Sequence, residues 1–442
     1  MRERLQHYID GKWVDSEGGV RREVINPATE EPCAVITVGT QADVDKAVAA
    51  ARRAFASWSV SSVADRIDLL GAILAEYERR ERELGEAVTE EMGAPLSLGC
   101  GFHTLLGKGH IGTALEVLKT YKFEEERGVT MIRKEPIGVC GLITPWNWPM
   151  NQTCVKIAPA LATGCTMILK PPQLAPYSAQ ILAEILHTAG VPAGVFNMVQ
   201  GAGSVIGAAL SRHKDVDMIS FTGSEPVGVQ IQKDAADTVK RVGLELGGKS
   251  AWVILDDASM AANVAGATAG MMGNSGQTCS AGSRLLVPAA RMEEAIAAAA
   301  EAANGVTVGD PKGNFAMGPV VSKSQYNIIQ DYIQKGIDEG AQLIAGGPGR
   351  PEGIDKGWFV RPTVFVGTND MVIAREEIFG PVLVIIGYDD LDHAVDIAND
   401  SDFGLGGYVS GEDLEVARDV SKGSLRPGAD AAQLRQRARC DE

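Results

Sequence analysis

Ile137-Gly138-Val139-Cys140-Gly141-Leu142-Ile143 is a short apolar run that ends in Thr144-Pro145. Three similar runs follow it. Thr166-Met167-Ile168-Leu169 ends in Lys170-Pro171-Pro172, Val195-Phe196-Asn197-Met198-Val199 ends in Gln200-Gly201, and Met218-Ile219-Ser220-Phe221 ends in Thr222-Gly223-Ser224. A strand covered on one face alternates apolar and polar residues, whereas a mainly apolar run is covered on both. Helical patterns such as Ser178 to Thr188 separate the runs. Buried strands alternating with helices predict an α/β fold with a parallel, doubly wound, Rossmann-like sheet. Ligands bind such sheets at the carboxyl ends of the strands. These strands end in residues suited to binding: Trp146-Asn147, Lys170, Gly201 and Ser224.

Upstream, Tyr8 to Val14 reads as strand around a tight Asp10-Gly11 turn, and Asn26-Pro27-Ala28-Thr29 as a second turn. Ala42 to Trp58 and Asp65 to Met92 carry helical spacing, with Ile67, Leu70, Ile73, Leu74 and Tyr77 on one face. Downstream, a second alternation of strand and helix runs from Ala251 to about Val409. It includes Ala251–Leu255, a helix from Ala261 to Met272, Arg284–Val287, an Ala-rich helix at Ala295–Ala303, and Val382–Ile386. It predicts a second α/β domain.

Composition bounds the function. The 442 residues are 45% hydrophobic, enough for two or three domains. Net charge is −16, which repels phosphate backbones and anionic membrane surfaces and points away from nucleic acid and membranes. The longest apolar stretch, Val155 to Leu169, contains Lys156 and Pro159 and is too short to span a bilayer. No signal-peptide core follows Met1, so a cytoplasmic protein is expected. The seven cysteines are scattered and odd in number, with no CxxC pair. They predict reduced thiols, mostly buried filler, and no zinc site.

Three residues suggest chemistry. Cys279 follows Gly273-Asn274-Ser275-Gly276-Gln277-Thr278, small residues that let backbone or ligand approach. By composition alone a buried structural cysteine is the plainer reading. Glu245 is flanked by Leu244 and Leu246 and followed by Gly247-Gly248-Lys249. It is a candidate general base whose apolar flanks would raise its pKa, or an edge residue beside a hinge. Asn147 sits between Trp146 and Trp148 and between Pro145 and Pro149. A rigid amide there suits an oxyanion, or simply completes a turn. Gly201-Ala202-Gly203-Ser204-Val205-Ile206-Gly207 departs from GxGxxG, its third glycine one residue late.

Taken together, Pro145-Trp146-Asn147-Trp148-Pro149, Leu169-Lys170-Pro171, Phe221-Thr222-Gly223-Ser224, Glu245-Leu246-Gly247-Gly248-Lys249, Gly276-Gln277-Thr278-Cys279 and Glu376-Glu377-Ile378-Phe379-Gly380-Pro381-Val382 resemble the NAD(P)-dependent aldehyde dehydrogenase superfamily. The resemblance runs over about residues 8 to 420. It implies a cofactor-binding domain over 1–117 and 137–247, an oligomerisation hairpin over 118–136, and a catalytic domain over 248–420. It also implies a homodimer or homotetramer and an aldehyde substrate. Cys279 would attack the aldehyde carbon, Asn147 and the Cys279 N–H would hold the oxyanion, and hydride would pass to NAD or NADP. Glu245 would then activate water on the thioester. Lys170 and Glu377 would bind cofactor riboses, Gly223 and Ser224 the pyrophosphate, and Phe379 the nicotinamide ribose. Thr144, Pro145, Trp146, Gln173, Gly203, Gly207, Phe221 and Leu246 complete the implied cofactor contacts, and no metal is needed. Relatives that release CoA thioesters commonly lack the carboxylate at Glu245, so its presence favours the free acid.

Two departures qualify the resemblance. NAD-preferring members often carry Glu where this chain has Gln173, which leaves NAD and NADP open with NAD ahead. After about Ser421 the resemblance stops, and the polar, Arg-rich stretch to Glu442 reads as a truncation, a frame change or a disordered tail. That loss implies an exposed sheet edge, weaker assembly and lower activity. A catalytically impaired paralogue, acting as a binding or structural protein, is therefore the alternative to an active enzyme. A thioesterase using the same Cys and Glu is a third reading.

Overall fold

A computed structural model describes residues 2–423. Of the atypical segment expected over 421–442, Ser421 to Gly423 end the helix Leu414–Gly423, and the remainder lies outside the described residues. The chain divides into two units. The first comprises residues up to Asn26, Glu31–Met92 and Leu96–Glu245; the second comprises Pro27–Glu30, Gly93–Pro95 and the chain from Leu246 on.

The first unit is built on a seven-stranded sheet. Its order is Arg241–Glu245, Met218–Thr222, Val139–Ile143, Thr166–Lys170, Phe196–Met198, His7–Ile9, Lys12–Val14. The first five run parallel, His7–Ile9 is antiparallel to them, and Lys12–Val14 reverses direction again. Every residue of Val139–Ile143 and Thr166–Lys170 is buried, as the apolar runs require. Val139, Met167, Ile168 and Leu169 have no exposed surface. Burying each such side chain stabilises the fold by roughly 1.5–3 kcal/mol. Register aligns the carboxyl ends: Ile143 faces Lys170 and Phe221, and Thr222 faces Glu245. Asp10 and Gly11 both take positive φ (55° and 75°), which gives the amino-terminal hairpin its tight turn.

Helix Gln41–Trp58 buries Val44, Ala47, Val48 and Ala51 on one face, in keeping with the helical spacing there. The helix Tyr177–Thr188 is capped from within the unit. The buried Glu91 carboxylate accepts from the N–H groups of Tyr177 (2.5 Å) and Ser178 (3.0 Å) and from Ser178 Oγ (2.6 Å). Burial still pushes this carboxyl up to about 7 against those donors. The unit also holds a three-stranded sheet of Arg2–Arg4, Glu31–Val38 and Val20–Asn26, and a hairpin of Glu124–Arg127 with Thr130–Arg133.

The second unit has a six-stranded sheet in the order Gln342–Ala345, Thr363–Val366, Val382–Tyr388, Arg284–Pro288, Ala251–Ile254, Gly407–Ser410. Only Gln342–Ala345 is antiparallel to its neighbour. Ile254, Leu285, Val287, Leu383 and Ile385 pack with Met271, Ala295 and Ala299 from the helices Met260–Met272 and Met292–Asn304. Small alanines on the second helix let it lie close to the sheet. Among the described residues no helix is long and apolar enough to cross a membrane.

Candidate active site

In the first unit, Thr144, Lys170, Thr222 and Glu245 stand at or just beyond the aligned carboxyl ends of neighbouring parallel strands. Thr144 N–H donates to Lys170 O (3.3 Å), and Gly223 N–H donates to Glu245 O (3.0 Å). The Lys170 side chain is buried, and burial lowers it to about 8. Among the described residues no carboxylate pairs with it. Around it, Thr144 Oγ1, Gln173 Nε2 and Thr222 Oγ1 are buried with no hydrogen-bond partner among the described residues. A cation without counter-charge and several orphaned polar atoms are costly in a folded chain unless something else satisfies them. A ligand rich in hydroxyl and anionic oxygen meets that demand, and a dinucleotide's riboses and phosphates are such a ligand. Ser224 begins the helix Glu225–Ala236 without a side-chain cap. That end presents its positive pole to whatever lies before it.

Asn147 is buried in the turn between strand Val139–Ile143 and helix Pro149–Ala162, beyond half-buried Pro145 and Trp146. Trp148 fixes that turn. Its ring stacks on His103 at 4.2 Å and meets Phe102 edge-on at 5.6 Å. Glu245 differs from expectation: its side chain is exposed, not enclosed by its leucine neighbours. Successive residues of a strand point to opposite faces, so Leu244 does not cover the residue after it. Gly203 to Gly207 form a π-helical turn that leads into helix Ala208–Arg212. Space is open at Gly203 for a Cβ, so no neighbouring atom of the chain requires glycine there.

The sequence reading passed over Lys156, noting it only as an interruption of an apolar stretch. It is buried in helix Pro149–Ala162, and its Nζ donates to Ser220 Oγ (2.8 Å). Burial lowers it to about 8, and the charge of Glu245 works the other way. A lysine that reaches the sheet from an apolar helix face was the available signal.

In the second unit, Gly248, Cys279 and Phe379 precede the amino ends of three strands, Ala251–Ile254, Arg284–Pro288 and Val382–Tyr388. Cys279 is half-buried. Before it, Asn274, Ser275 and Gly276 take successive left-handed φ values of 52°, 56° and 70°. Such backbone costs on the order of 1 kcal/mol or more per non-glycine residue, and here tertiary bonds impose it. Ser275 Oγ donates to Gly318 O (2.9 Å), and Val321 N–H donates to Gln277 Oε1 (2.9 Å). A Cβ on Gly248 would stand 2.3 Å from Cys279 O, so Gly248 is what lets these two segments touch. Glu377 Oε1 accepts from Gly248 N–H (3.0 Å). Burial raises the Glu377 carboxyl, against the Gly248 N–H and the Lys249 charge. Lys249 is itself lowered to about 7, by burial first and then by the Arg284 cation. Phe379 sits at φ 56°, and Gln325 Nε2 holds it in place by donating to Phe379 O (3.0 Å). Gly248, Lys249, Thr278, Glu377 and Phe379 line one narrow crevice. Leu246, which opens the unit's long carboxyl-terminal segment, is half-buried.

Gly276→Ala is expected to be strongly disruptive in this unit. A Cβ there would lie 2.1 Å from Gly380 O on a left-handed backbone. A loss on the order of 3 kcal/mol follows, read as a lower urea midpoint. An unchanged midpoint would show that the turn relaxes freely.

One unit thus holds a buried cation and orphaned hydroxyls at its strand ends, and the other a half-buried cysteine after a constrained turn. The aldehyde dehydrogenase family model matches residues 13–427. The chain is 51% identical over 432 residues to a 3-succinoylsemialdehyde-pyridine dehydrogenase of Pseudomonas sp, covering 97% of this chain and 90% of that one. It is similar to a mutant aldehyde dehydrogenase C of Pseudomonas syringae in complex with NAD+ and octanal, with TM-score 0.94 and 47% identity over 95% of this chain and 87% of that one. An aldehyde dehydrogenase of Bartonella henselae gives TM-score 0.93 and 43% identity, over 96% and 90% of the two chains. The chain belongs to the aldehyde dehydrogenase family. It is an aldehyde-oxidising enzyme.

Proposed function

We propose that this enzyme oxidises an aldehyde to the free carboxylic acid with NAD as acceptor, using Cys279 as nucleophile and Glu245 as base. The uncompensated Lys170 cation among orphaned Thr144, Gln173 and Thr222 atoms carries the cofactor reading. Lys170 and Gln173 would hold ribose and phosphate oxygens, Ser224 and the helix it begins would hold the pyrophosphate, and Glu377 would accept from a ribose hydroxyl. When bound, the nicotinamide supplies the hydride acceptor. The NAD+ in the compared Pseudomonas syringae complex favours NAD over NADP, and the neutral Gln173 neither requires nor repels a 2′-phosphate.

Cys279 Sγ adds to the aldehyde carbon, and the Asn147 amide and the Cys279 N–H stabilise the oxygen that becomes negative. Oxidation leaves the acyl group on the sulfur as a thioester. Glu245 takes a proton from water as the water attacks that carbonyl, and the Cys279 thiolate departs. Exposure lets Glu245 return its proton to solvent, and its charge favours the protonated form of the buried Lys156. The domain roles follow: cofactor in 1–117 and 137–247, nucleophile in 248–420. Nearly every residue of the hairpin at 124–133 is exposed, which favours homo-oligomeric assembly through it; a monomer by light scattering would oppose that. Six free cysteines among the described residues suit a reducing compartment, the cytoplasm.

The test of the cofactor reading is the pH dependence of NAD affinity. Lys170 is a cation below about 8 and neutral above it. A bound anionic oxygen keeps it protonated, so above that pH binding must take up a proton. The dissociation constant should then rise by up to about tenfold per pH unit. Lys170→Arg, always charged, should flatten the rise. Equal profiles for the two proteins would remove Lys170 from the cofactor site.

A further inference from the structure

Two cysteines outside this chemistry meet in the first unit. Parallel pairing sets Cys140 opposite Met167, two residues past Cys165. The Cys140 thiol and the Cys165 sulfur are hydrogen-bond partners. Thr163 Oγ1 lies 3.4 Å from Cys165 Sγ, and backbone at Ile137 and Gly138 also bonds that sulfur. The Arg66 guanidinium attracts its negative charge, and is itself anchored by Nη1 to Ala162 O (2.9 Å) and Nη2 to Ser61 O (3.0 Å). The carboxylate of Asp217 acts on Cys140 instead. Donors and a cation thus gather on one sulfur, and an anion beside the other. The Cys140 thiol and then Thr163 and backbone donors outweigh burial and lower Cys165 to about 6. Cys154, buried without such donors, is pushed up to about 12. Both sulfurs of the pair are buried, but Thr163 and Arg66 also line a cleft of about 640 Å³ together with Val63, Phe123 and Pro136. Thr163 thus both lines the cleft and bonds the Cys165 sulfur.

We propose that Cys140 and Cys165 form a peroxide-reactive dithiol, a modification site separate from Cys279. The Cys165 thiolate attacks one oxygen of hydrogen peroxide, the O–O bond breaks, and hydroxide leaves, giving a sulfenic acid. Cys140 gives up its proton and attacks that sulfur. The S–O bond breaks, water leaves, and a Cys140–Cys165 disulfide remains. Two electrons pass from the thiols to the peroxide. The bond ties the head of strand Val139–Ile143 to the turn that follows helix Pro149–Ala162, and the Asn147 loop lies between these anchors in the chain.

The test treats full-length protein carrying Cys279→Ala with hydrogen peroxide, blocks free thiols under denaturing conditions, and maps unreduced peptides by mass. A Cys140–Cys165 cross-link, lighter by two hydrogen atoms and reversed by dithiothreitol, is expected. Cys165 should be consumed at least about tenfold faster than Cys154. With Cys140→Ser added, Cys165 should instead take a dimedone label. If both residues stay alkylatable while Cys33 or Cys100 oxidises, or if Cys165 is consumed no faster than Cys154, the proposal fails. The cross-link readout needs no substitution in the pair, so a misfolded Cys140→Ser protein would not shield it.

Discussion

Cys279→Ala is expected to lower aldehyde oxidation by about 10⁴-fold or more while NAD still binds. An aldehyde is a poor hydride donor until a nucleophile turns it into a tetrahedral alkoxide, so removing the sulfur removes the first bond on the route. Binding should survive, because the groups assigned to the cofactor are Lys170, Gln173, Ser224 and Glu377, and the substitution deletes only a half-buried sulfur. Steady-state formation of reduced cofactor measures the first quantity, and protein fluorescence titrated with NAD measures the second. Activity within about tenfold of the parent would move the nucleophile elsewhere and undo the thioester route.

What the sequence disclosed follows physical lines. The strands at 139–143, 166–170 and 218–222 were legible because strands covered on both faces leave little room for polar residues. Val20–Asn26 escaped notice: its VRREVIN run is mostly exposed and lacks a clean period. Gln342–Ala345 escaped for a similar reason, since it is a short edge strand with exposed residues. The motif residues were readable where backbone demands a residue type. Gly276 before Cys279 and Gly248 against its carbonyl are such positions. What stayed hidden depends on pairing between distant segments. The burial of Lys156 against Ser220, the stacking of His103 on Trp148, and the meeting of Cys140 with Cys165 require strand register or helix packing that no local pattern encodes. Glu245 erred in the opposite direction. Its leucine neighbours suggested enclosure, but strand alternation turns Leu244 to the other face and Glu245 is exposed.

Glu245→Gln separates the two halves of the proposed route, which makes it more informative than a simple loss of activity. The amide keeps the shape and hydrogen-bonding reach of the side chain but cannot take a proton from water. Attack by Cys279 and oxidation of the adduct do not need that base; hydrolysis of the thioester does. Mixing the variant with NAD and aldehyde should therefore give a rapid burst of reduced cofactor, one per site. Steady turnover should follow at about 10² to 10⁴-fold below the parent. Intact mass should record the acyl group on Cys279 during the slow phase. Hydroxylamine, which attacks thioesters without a general base, should restore turnover and release the hydroxamate. The exposed position of Glu245 makes a folding defect a poor explanation for such a pattern, because little packs against the side chain. If the burst is absent and no acyl enzyme accumulates, Glu245 acts before the thioester. If steady turnover is unchanged, another group deprotonates the water, and Lys156, buried near Glu245 and lowered to about 8, is the next residue to test.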